Sequence, residues 1–127
     1  KKKNIKRNRW FYYAIIKSPK GILVKERSEK DIWKHLFDFP LLEQSDASDY
    51  SVEWWEKWCE SMLGLKATCK QISQPYKQHL THQTIQAVFV HFETTGKKKL
   101  AHFEWADAQR MELLPFPQII RQHLLGK

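Results

Sequence analysis

The chain has 127 residues, which is the length of one domain, and 42% of them are hydrophobic, which excludes a disordered chain. The formal net charge of +8 favours a polyanionic partner, either nucleic acid or an anionic membrane face, although a basic surface without a partner also fits. No apolar run approaches the length of a membrane span, which is about 20 residues, and a transmembrane helix is therefore excluded.

The first residues are charged, and the residues that follow them predict a buried hairpin. Residues 1–9 are polar and basic, and we expect them to form a linker or arm. Trp10–Lys17 is apolar at both alternating sets of positions, which predicts a central strand buried on two sides. Turn residues at Ser18–Gly21 then bring Gly21–Arg27 back as the second strand. A third, short extended piece is expected within Trp33–Phe39.

A helix is predicted after the loop composition of Gln44–Tyr50. Ser51 can cap its N-terminus, and Gly64 is placed to end it. Apolar side chains from Val52 onward share one face at helical spacing, whereas the acidic residues lie largely opposite. The segment therefore predicts an amphipathic helix that packs against the sheet.

The following segments predict strands separated by polar residues. Ala67–Ile72 is typical of a strand, and Pro75 ends it. Tyr76–Gln83 is rich in polar residues and is interpreted as a connector, whereas Thr84–Phe92 alternates strongly and predicts a strand. A basic turn then leads to a returning strand at Leu100–Trp105.

The end of the chain predicts a short helix. Pro117 suits a first helical position, and the apolar residues Phe116, Ile120 and Leu124 recur at four-residue spacing around it. The order of elements is two or three strands, a helix, three strands and a helix. This order predicts an α+β domain with a mixed β-sheet held between α-helices.

The stretch "DIWKHLFDFPLLE", followed by a helix that ends at glycine, resembles the Nudix fold. Nudix hydrolases carry on that helix the run Arg-Glu-apolar-x-Glu-Glu-x-Gly, whose carboxylates hold Mg²⁺ for hydrolysis of a diphosphate. With the last glycine at Gly64, the glutamate positions hold Trp58, Ser61 and Met62. We therefore expect a Nudix-like scaffold that binds no metal and has no hydrolase activity.

Several stretches together resemble the C-terminal domain of the MutY family of adenine DNA glycosylases: "RWFYYAII", "YKQHLTHQTI", "FEWAD" and "LPFPQIIRQHL". In that family a Phe-Ser-His connector reaches the DNA beside an 8-oxoguanine lesion, and it corresponds here to Leu80, Thr81 and His82. The hydroxyl and the imidazole are kept, whereas the aromatic residue is aliphatic. The resemblance implies a non-catalytic domain that recognises 8-oxoguanine opposite a mispaired adenine in base excision repair.

The same resemblance implies the partners and the setting of the chain. The DNA partner would be a duplex with an adenine:8-oxoguanine mispair. A catalytic domain holding a 4Fe–4S cluster would precede residues 1–9 in the same protein, and the domain itself would need no cofactor, bind no membrane and be a monomer. Cys59 and Cys69 are too few for a cluster, and we expect free thiols in a bacterial cytoplasm.

Lesion recognition has a simple chemical basis. Oxidation of guanine at carbon 8 places a hydrogen on N7, which turns an acceptor in the major groove into a donor. The hydroxyl of Thr81 can accept that hydrogen bond, Leu80 can act as a wedge at a base step, and His82 can orient the loop or contact phosphate. Lys77 and His79 lie beside them in the connector. The alternative is a polar turn between strands, with Leu80 partly buried.

Further basic residues are candidate phosphate contacts, each of which would add nearly one unit to the salt dependence of binding. They are Arg7, Arg9, Lys97, Lys98 and Lys99. An ordinary solvated surface explains them equally well. His79 and His82 have a spacing found in metal sites, but no further Cys or His accompanies them closely, which argues against zinc.

Two other functions stay open at the level of sequence. One is a diverged Nudix hydrolase of oxidised nucleotides, which would need Mg²⁺-dependent turnover. The other is a protein-interaction module, for example one that docks onto a replication clamp, although no stretch indicates a particular peptide groove.

Overall fold

The computed structural model describes residues 6–96 and 98–126, which form one mixed sheet and three helices. In chain order the elements are β1 Arg7–Ser18, β2 Gly21–Glu26, β3 Phe37–Asp38, β4 Leu41–Gln44, α1 Val52–Leu63, β5 Thr68–Ile72, β6 Tyr76–His79, β7 Gln83–Glu93, β8 Glu104–Ala106, α2 Ala108–Leu113 and α3 Gln118–Leu125. The predicted α+β class, with a mixed sheet between helices, is confirmed.

Strand β1 is the centre of the sheet, as its apolar residues predict. It runs parallel to β7 from the Arg7–Gln83 pair to the Lys17–Glu93 pair. Its other edge pairs antiparallel with β4 along the first half and with β2 at the end. Strands β5 and β6 share the outer edge of β7.

The side chains of β1 alternate between two cores, one on each face of the sheet. The core on the α3 side includes Phe11, Tyr13, Ile15, Phe89, Ile119 and Ile120. The core on the α1 side includes Tyr12, Ala14, Ile16, Trp55, Cys59 and Val90. Both faces of the central sheet are therefore covered over most of their length.

Helix α1 forms with the predicted caps. The Ser51 hydroxyl accepts a hydrogen bond from the Trp54 amide at 3.0 Å. Gly64 ends the helix with a φ of 68°, in the left-handed region where glycine is favoured. The Cys59 and Cys69 thiols are free and buried, as expected, and burial raises the pKa of Cys59 to about 12.

The predicted arm at residues 1–9 is too long, because β1 already begins at Arg7. The third extended piece is shorter than expected. Only Phe37–Asp38 is strand, because the chain turns before it with Trp33 and His35 at positive φ. Strand β4, which follows Pro40, was not predicted.

The returning strand predicted at Leu100–Trp105 is wrong in its bounds, because only Glu104–Ala106 forms a strand. The chain turns at His102, which has a φ of 70°, and β8 then pairs antiparallel with β2. A Cβ atom at Gly21 would lie 2.1 Å from the carbonyl oxygen of Ala106, so the close approach of β2 and β8 requires glycine. Helix α2 was also missed.

Among the described helices, none is long and apolar enough to cross a membrane.

Candidate nucleic-acid interface

The predicted connector is a strand followed by a tight turn. Strand β6 pairs antiparallel with β7, from the Tyr76–Ala87 pair to the His79–Thr84 pair. The connecting residues Leu80–His82 are named here the β6–β7 turn. The Leu80 amide donates to the carbonyl oxygen of Gln83 at 2.7 Å, and the Arg7 amide donates to that of His82 at 3.2 Å. The turn is therefore held by backbone hydrogen bonds from both neighbouring strands.

The side chains of the β6–β7 turn differ in their exposure. Thr81 and His82 are exposed, so the Thr81 hydroxyl is open to a ligand. Leu80 is half-buried and packs against the core on the α3 side. This geometry agrees with the alternative prediction of a polar turn with Leu80 partly buried. A wedge role would require Leu80 to leave its contact with the core.

The two other predicted connector residues lie on the outer face of β6. Lys77 and His79 are both exposed, and Nδ1 of His79 lies 3.2 Å from the Thr84 hydroxyl oxygen. That hydrogen bond orients the imidazole along the sheet. No group of three His, Cys, Asp or Glu side chains within residues 6–96 and 98–126 is arranged to hold a metal ion.

The structure argues against the predicted phosphate contact of Arg9, because this residue is a buried structural cation. Its side chain is 6% exposed, and its guanidinium donates to Asp31 at 2.8 Å and to Glu43 at 2.7 Å. Its third partner is the side-chain oxygen of Gln83 at the start of β7, which accepts a hydrogen bond of 2.9 Å. Arg9 therefore positions the end of the β6–β7 turn, and its charge is neutralised within the fold.

The ion pairs around Arg9 fix the charge of their members. The hydrogen bonds that Arg9 donates to Glu43 and Asp31 raise the pKa of the Arg9 guanidinium further above its already high value. The hydrogen bonds that Asp31 accepts from Arg9 lower the pKa of Asp31 from 3.8 to about 2. Asp31 therefore stays ionised at neutral pH and holds the loop before β3 against β1.

The remaining predicted phosphate contacts are not gathered at one place. Arg7 is exposed beside the β6–β7 turn. Lys98 and Lys99 are exposed beyond the far end of β7, and a strand of 11 residues spans about 36 Å. Lys97 lies outside the described residues. A Cβ atom at Gly64 would lie 2.8 Å from Nζ of Lys98, so this cation sits at the C-terminus of α1, where the helix dipole favours it.

A cleft of about 330 Å³ lies between α1 and the loop that leads into β4. From α1 it is lined by Trp58, Met62 and Leu63. Two of these residues occupy positions that hold glutamate in the Nudix helix. The cleft therefore has apolar side chains where a magnesium site would need carboxylates.

The acidic residues of the cleft are mostly committed to other partners. Asp31 and Glu43 bind Arg9, and Asp38 binds Arg27 at 2.8 Å. Burial raises the pKa of the Asp38 carboxyl, although Arg27 opposes the change. The residues present do not fit a Mg²⁺ ion, since a hard cation needs several free oxygen ligands.

The three glutamates of α1 do not replace the missing ligands. Glu53, Glu56 and Glu60 line a separate recess together with Lys57 and Lys66. Glu56 also accepts a hydrogen bond of 2.8 Å from the Cys69 amide, which ties α1 to β5.

A histidine pair anchors α3 to the base of the β6–β7 hairpin. The two Nε2 atoms of His91 and His123 lie 2.8 Å apart, and Nδ1 of His123 lies 2.9 Å from the Tyr76 hydroxyl. The His123 ring also stacks on Phe89 at 4.1 Å. Burial, and then the neighbouring His91, lower the pKa of His123 from 6.5 to about 4. Burial also lowers the pKa of His91, so the fold favours the neutral form of both rings.

Glu43 and Gln83 belong to the stretches that carry the family resemblance, but the sequence did not predict that they support the turn through Arg9. They lie 34 and 74 residues from Arg9 along the chain. No local pattern indicates this role, because it depends only on which strands are neighbours.

Comparisons with known proteins agree on the fold. Residues 11–125 match the family model described as NUDIX domain. No curated protein sequence matches the chain significantly. The MutT protein from Methanosarcina mazei Go1 is 18% identical with a TM-score of 0.66, over 92% of this chain and 90% of that one.

Two further solved structures have the same architecture. The C-terminal domain of mouse MUTYH, solved in complex with human PCNA, is 12% identical with a TM-score of 0.67, over 91% of this chain and 84% of that one. A NUDIX hydrolase from Nitrosomonas europaea is 10% identical with a TM-score of 0.60, over 93% of this chain and 89% of that one. At such low identity these similarities establish the fold alone.

Proposed function

The chain belongs to the NUDIX domain family. We propose that, within this family, it is a non-catalytic DNA-recognition domain. Its ligand is 8-oxoguanine opposite a mispaired adenine, as in the MutY family. Two observations together carry the proposal: the cleft has no group of three candidate metal ligands among the described residues, and an exposed hydroxyl lies on a fixed turn. Trp58 and Met62 line the cleft, whereas Thr81 is exposed on the β6–β7 turn.

The chemistry of the turn suits a modified base. In 8-oxoguanine N7 carries a hydrogen, so a reader needs an acceptor where unmodified guanine itself presents one. The Thr81 hydroxyl can accept this hydrogen bond, and two backbone hydrogen bonds already fix the turn. Binding would then require little ordering of the protein.

The proposal defines the partners. The DNA partner is a duplex containing an adenine:8-oxoguanine mispair, and the net charge of +8 complements its phosphates. Removal of the adenine would be performed by a separate catalytic domain, which would also hold the 4Fe–4S cluster. The recognition domain would supply affinity for the lesion and would need no cofactor.

Replacement of Thr81 by valine tests the role of the hydroxyl. The valine side chain has nearly the same shape but cannot accept a hydrogen bond. We expect the preference for 8-oxoguanine over guanine opposite adenine to fall by about tenfold, with little change in affinity for undamaged duplex. Fluorescence anisotropy with labelled duplexes at one fixed salt concentration measures both affinities.

Thr81→Ser is the matched control, because it keeps the hydroxyl and should retain the preference. If Thr81→Val discriminates as well as the unaltered chain, then the hydroxyl does not read the lesion. If the unaltered chain shows no preference at all, the recognition function itself is refuted.

A diverged hydrolase of oxidised nucleotides is the second candidate. The cleft of about 330 Å³ favours it, since Lys25 and Arg27 stand at its wall and are suitable for phosphate. Arg27 is already paired with Asp38, however, and the reaction would require Mg²⁺ where Trp58 and Met62 lie. The side chains of the cleft therefore support recognition better than hydrolysis.

A further inference from the structure

The register of the sheet places four side chains in one row across four strands. Lys77 of β6 faces Gln86 of β7, Gln86 faces Trp10 of β1, and Trp10 faces Gln44 of β4. Directly opposed residues project from the same face, and neighbouring strands lie about 4.8 Å apart. The row therefore extends about 14 Å across the sheet.

A second row lies one step closer to the β6–β7 turn. His79, Thr84 and Asn8 are opposed across β6, β7 and β1, two residues from the members of the first row. Since the side-chain period of a strand is two, both rows project from the α1 side of the sheet. The exposed or half-buried members are named here the open face: Asn8, Trp10, Lys77, His79 and Gln86.

Helix α1 covers the sheet beyond the open face, and at the border Trp10 lines a recess with Trp55 of α1 and with Asp49 of the preceding loop. Tyr12 is the next residue on this side of β1, and its ring lies 5.6 Å from Trp55 of α1. Trp10 stacks on Tyr12 at 6.2 Å and remains half-buried. Gln44 is not included, because its amide donates to the Tyr50 hydroxyl at 2.8 Å.

The chemistry of the open face suits the backbone of a nucleic acid. Its side chains supply a lysine, an imidazole, two carboxamides and an indole ring, and neither row contains a carboxylate. Ammonium and amide groups donate to phosphate oxygens, and such contacts fix the position of a protein on DNA without reading sequence. The indole ring offers apolar area for a deoxyribose.

We propose that the open face binds the sugar–phosphate backbone of the DNA strand that passes the β6–β7 turn. This role of the open face rests on the proposed function, because it requires that the chain binds DNA. It adds the direction of the strand, which runs from the turn along the rows towards Trp10. The open face contributes affinity for any duplex, whereas the Thr81 hydroxyl contributes the preference for the lesion.

Gln86→Glu tests the open face, since it replaces an amide by a carboxylate of the same shape opposite the phosphates. We expect affinity for both damaged and undamaged duplexes to fall by about tenfold through like-charge repulsion. Gln122→Glu is the matched control, because Gln122 is exposed on α3 on the other side of the sheet. It changes the net charge equally and should alter affinity by less than about twofold.

Lys77→Gln adds an independent measurement. Loss of one phosphate contact should reduce the slope of log affinity against log salt by nearly one unit, about 0.9 for duplex DNA. Lys57→Gln, at an exposed position of α1, should leave the slope unchanged. Thermal unfolding of each variant shows whether it is folded.

The two proposals fail in different ways. Equal effects of Gln86→Glu and Gln122→Glu, or an unchanged slope for Lys77→Gln, would refute the open face and leave lesion preference untouched. A lost preference in Gln86→Glu with unchanged affinity for undamaged DNA would also contradict it. Affinity that depends on the open face, without any preference for 8-oxoguanine, would instead refute the proposed function.

Discussion

Arg9 shows how little the charge of one residue says about its role. It lies in a basic run with Arg7, yet the two side chains have opposite environments. Residue 7 is exposed, whereas residue 9 points into the fold between Asp31 and Glu43. Both side chains project from the same face of β1, because they are two residues apart. The difference arises because Asp31 and Glu43, which are distant in the chain, are placed beside Arg9, whereas Arg7 is the first residue of the strand.

Replacement of Arg9 by methionine should destabilise the fold. The change removes the cation that pairs with Glu43, leaves Asp31 paired with Arg27 alone at 3.1 Å, and removes the hydrogen bond to Gln83. Breaking a buried ion pair costs about 3–5 kcal/mol, and we expect about 2 kcal/mol here because both carboxylates are partly exposed. Urea unfolding of the variant measures the loss in the free energy of unfolding.

Arg7→Met is the control at a neighbouring exposed position. It should change the free energy of unfolding by less than about 0.5 kcal/mol. If the Arg9 variant is equally stable, the ion pairs do not support the turn. A small loss in DNA affinity for Arg7→Met would be expected on the proposed function, since Arg7 stays beside the turn.

At the scale of elements, the β6–β7 hairpin was the least predictable part of the site. The polar residues of Tyr76–His79 lack the pattern of a buried strand, because only one face of β6 meets a core. The segment becomes a strand by pairing with the edge of β7. Its backbone hydrogen bonds, rather than its composition, decide the structure.

The packing of α3 on this hairpin should depend on pH through His123. Burial lowers the pKa of its ring to about 4 from 6.5, so the folded state favours the neutral form. The contribution to stability is therefore complete above about pH 6.5 and declines as the pH falls towards 4. Asp31, with a pKa of about 2, loses its contribution only at lower pH.

Urea unfolding midpoints at pH 7 and pH 4.5 measure this dependence. His123→Phe keeps a ring that can stack on Phe89 but cannot titrate, so it should lose less stability between the two pH values. His82→Phe, at an exposed position of the turn, should retain the full dependence. An identical pH dependence in His123→Phe would show that other groups cause the change.

At the scale of the whole molecule, the sheet, its two helical layers and the cleft follow the Nudix architecture, but the side chains of the cleft do not. Trp58 packs against Trp55, with ring centroids 5.4 Å apart, so a position that carries a ligand in the hydrolases belongs here to the hydrophobic layer under α1. The scaffold and its chemistry are therefore separable, as is common among widely used folds.

Millimolar Mg²⁺ should leave the melting temperature unchanged, because the residues of the cleft do not fit the ion. An ion that bound only the native state would raise the melting temperature. NaCl at the same ionic strength is the reference for screening. We also expect no Mg²⁺-dependent turnover of oxidised nucleoside triphosphates. A rise in melting temperature specific to Mg²⁺, accompanied by turnover, would establish the hydrolase in place of the recognition domain.

Local pattern was sufficient for some elements and for part of the site. The central strand, the first hairpin and α1 with its caps were predicted because hydrophobic period and capping residues are local signals. The missing carboxylates were also visible in sequence. Local pattern did not predict the place of β8, the existence of β4 or the different environments of Arg7 and Arg9, since each depends on residues distant in the chain.

The sequence by itself determined the α+β class, the double burial of β1 and the absence of glutamate from the Nudix ligand positions 58, 61 and 62, because each follows from the identity and spacing of nearby residues. Only the tertiary structure decided that Arg9 is neutralised, that Leu80 is held by the core and that β6 joins β7. It also aligned Lys77, Gln86 and Trp10 in one row. Strand pairing causes these outcomes, since hydrogen bonds between distant segments select which side chains become neighbours.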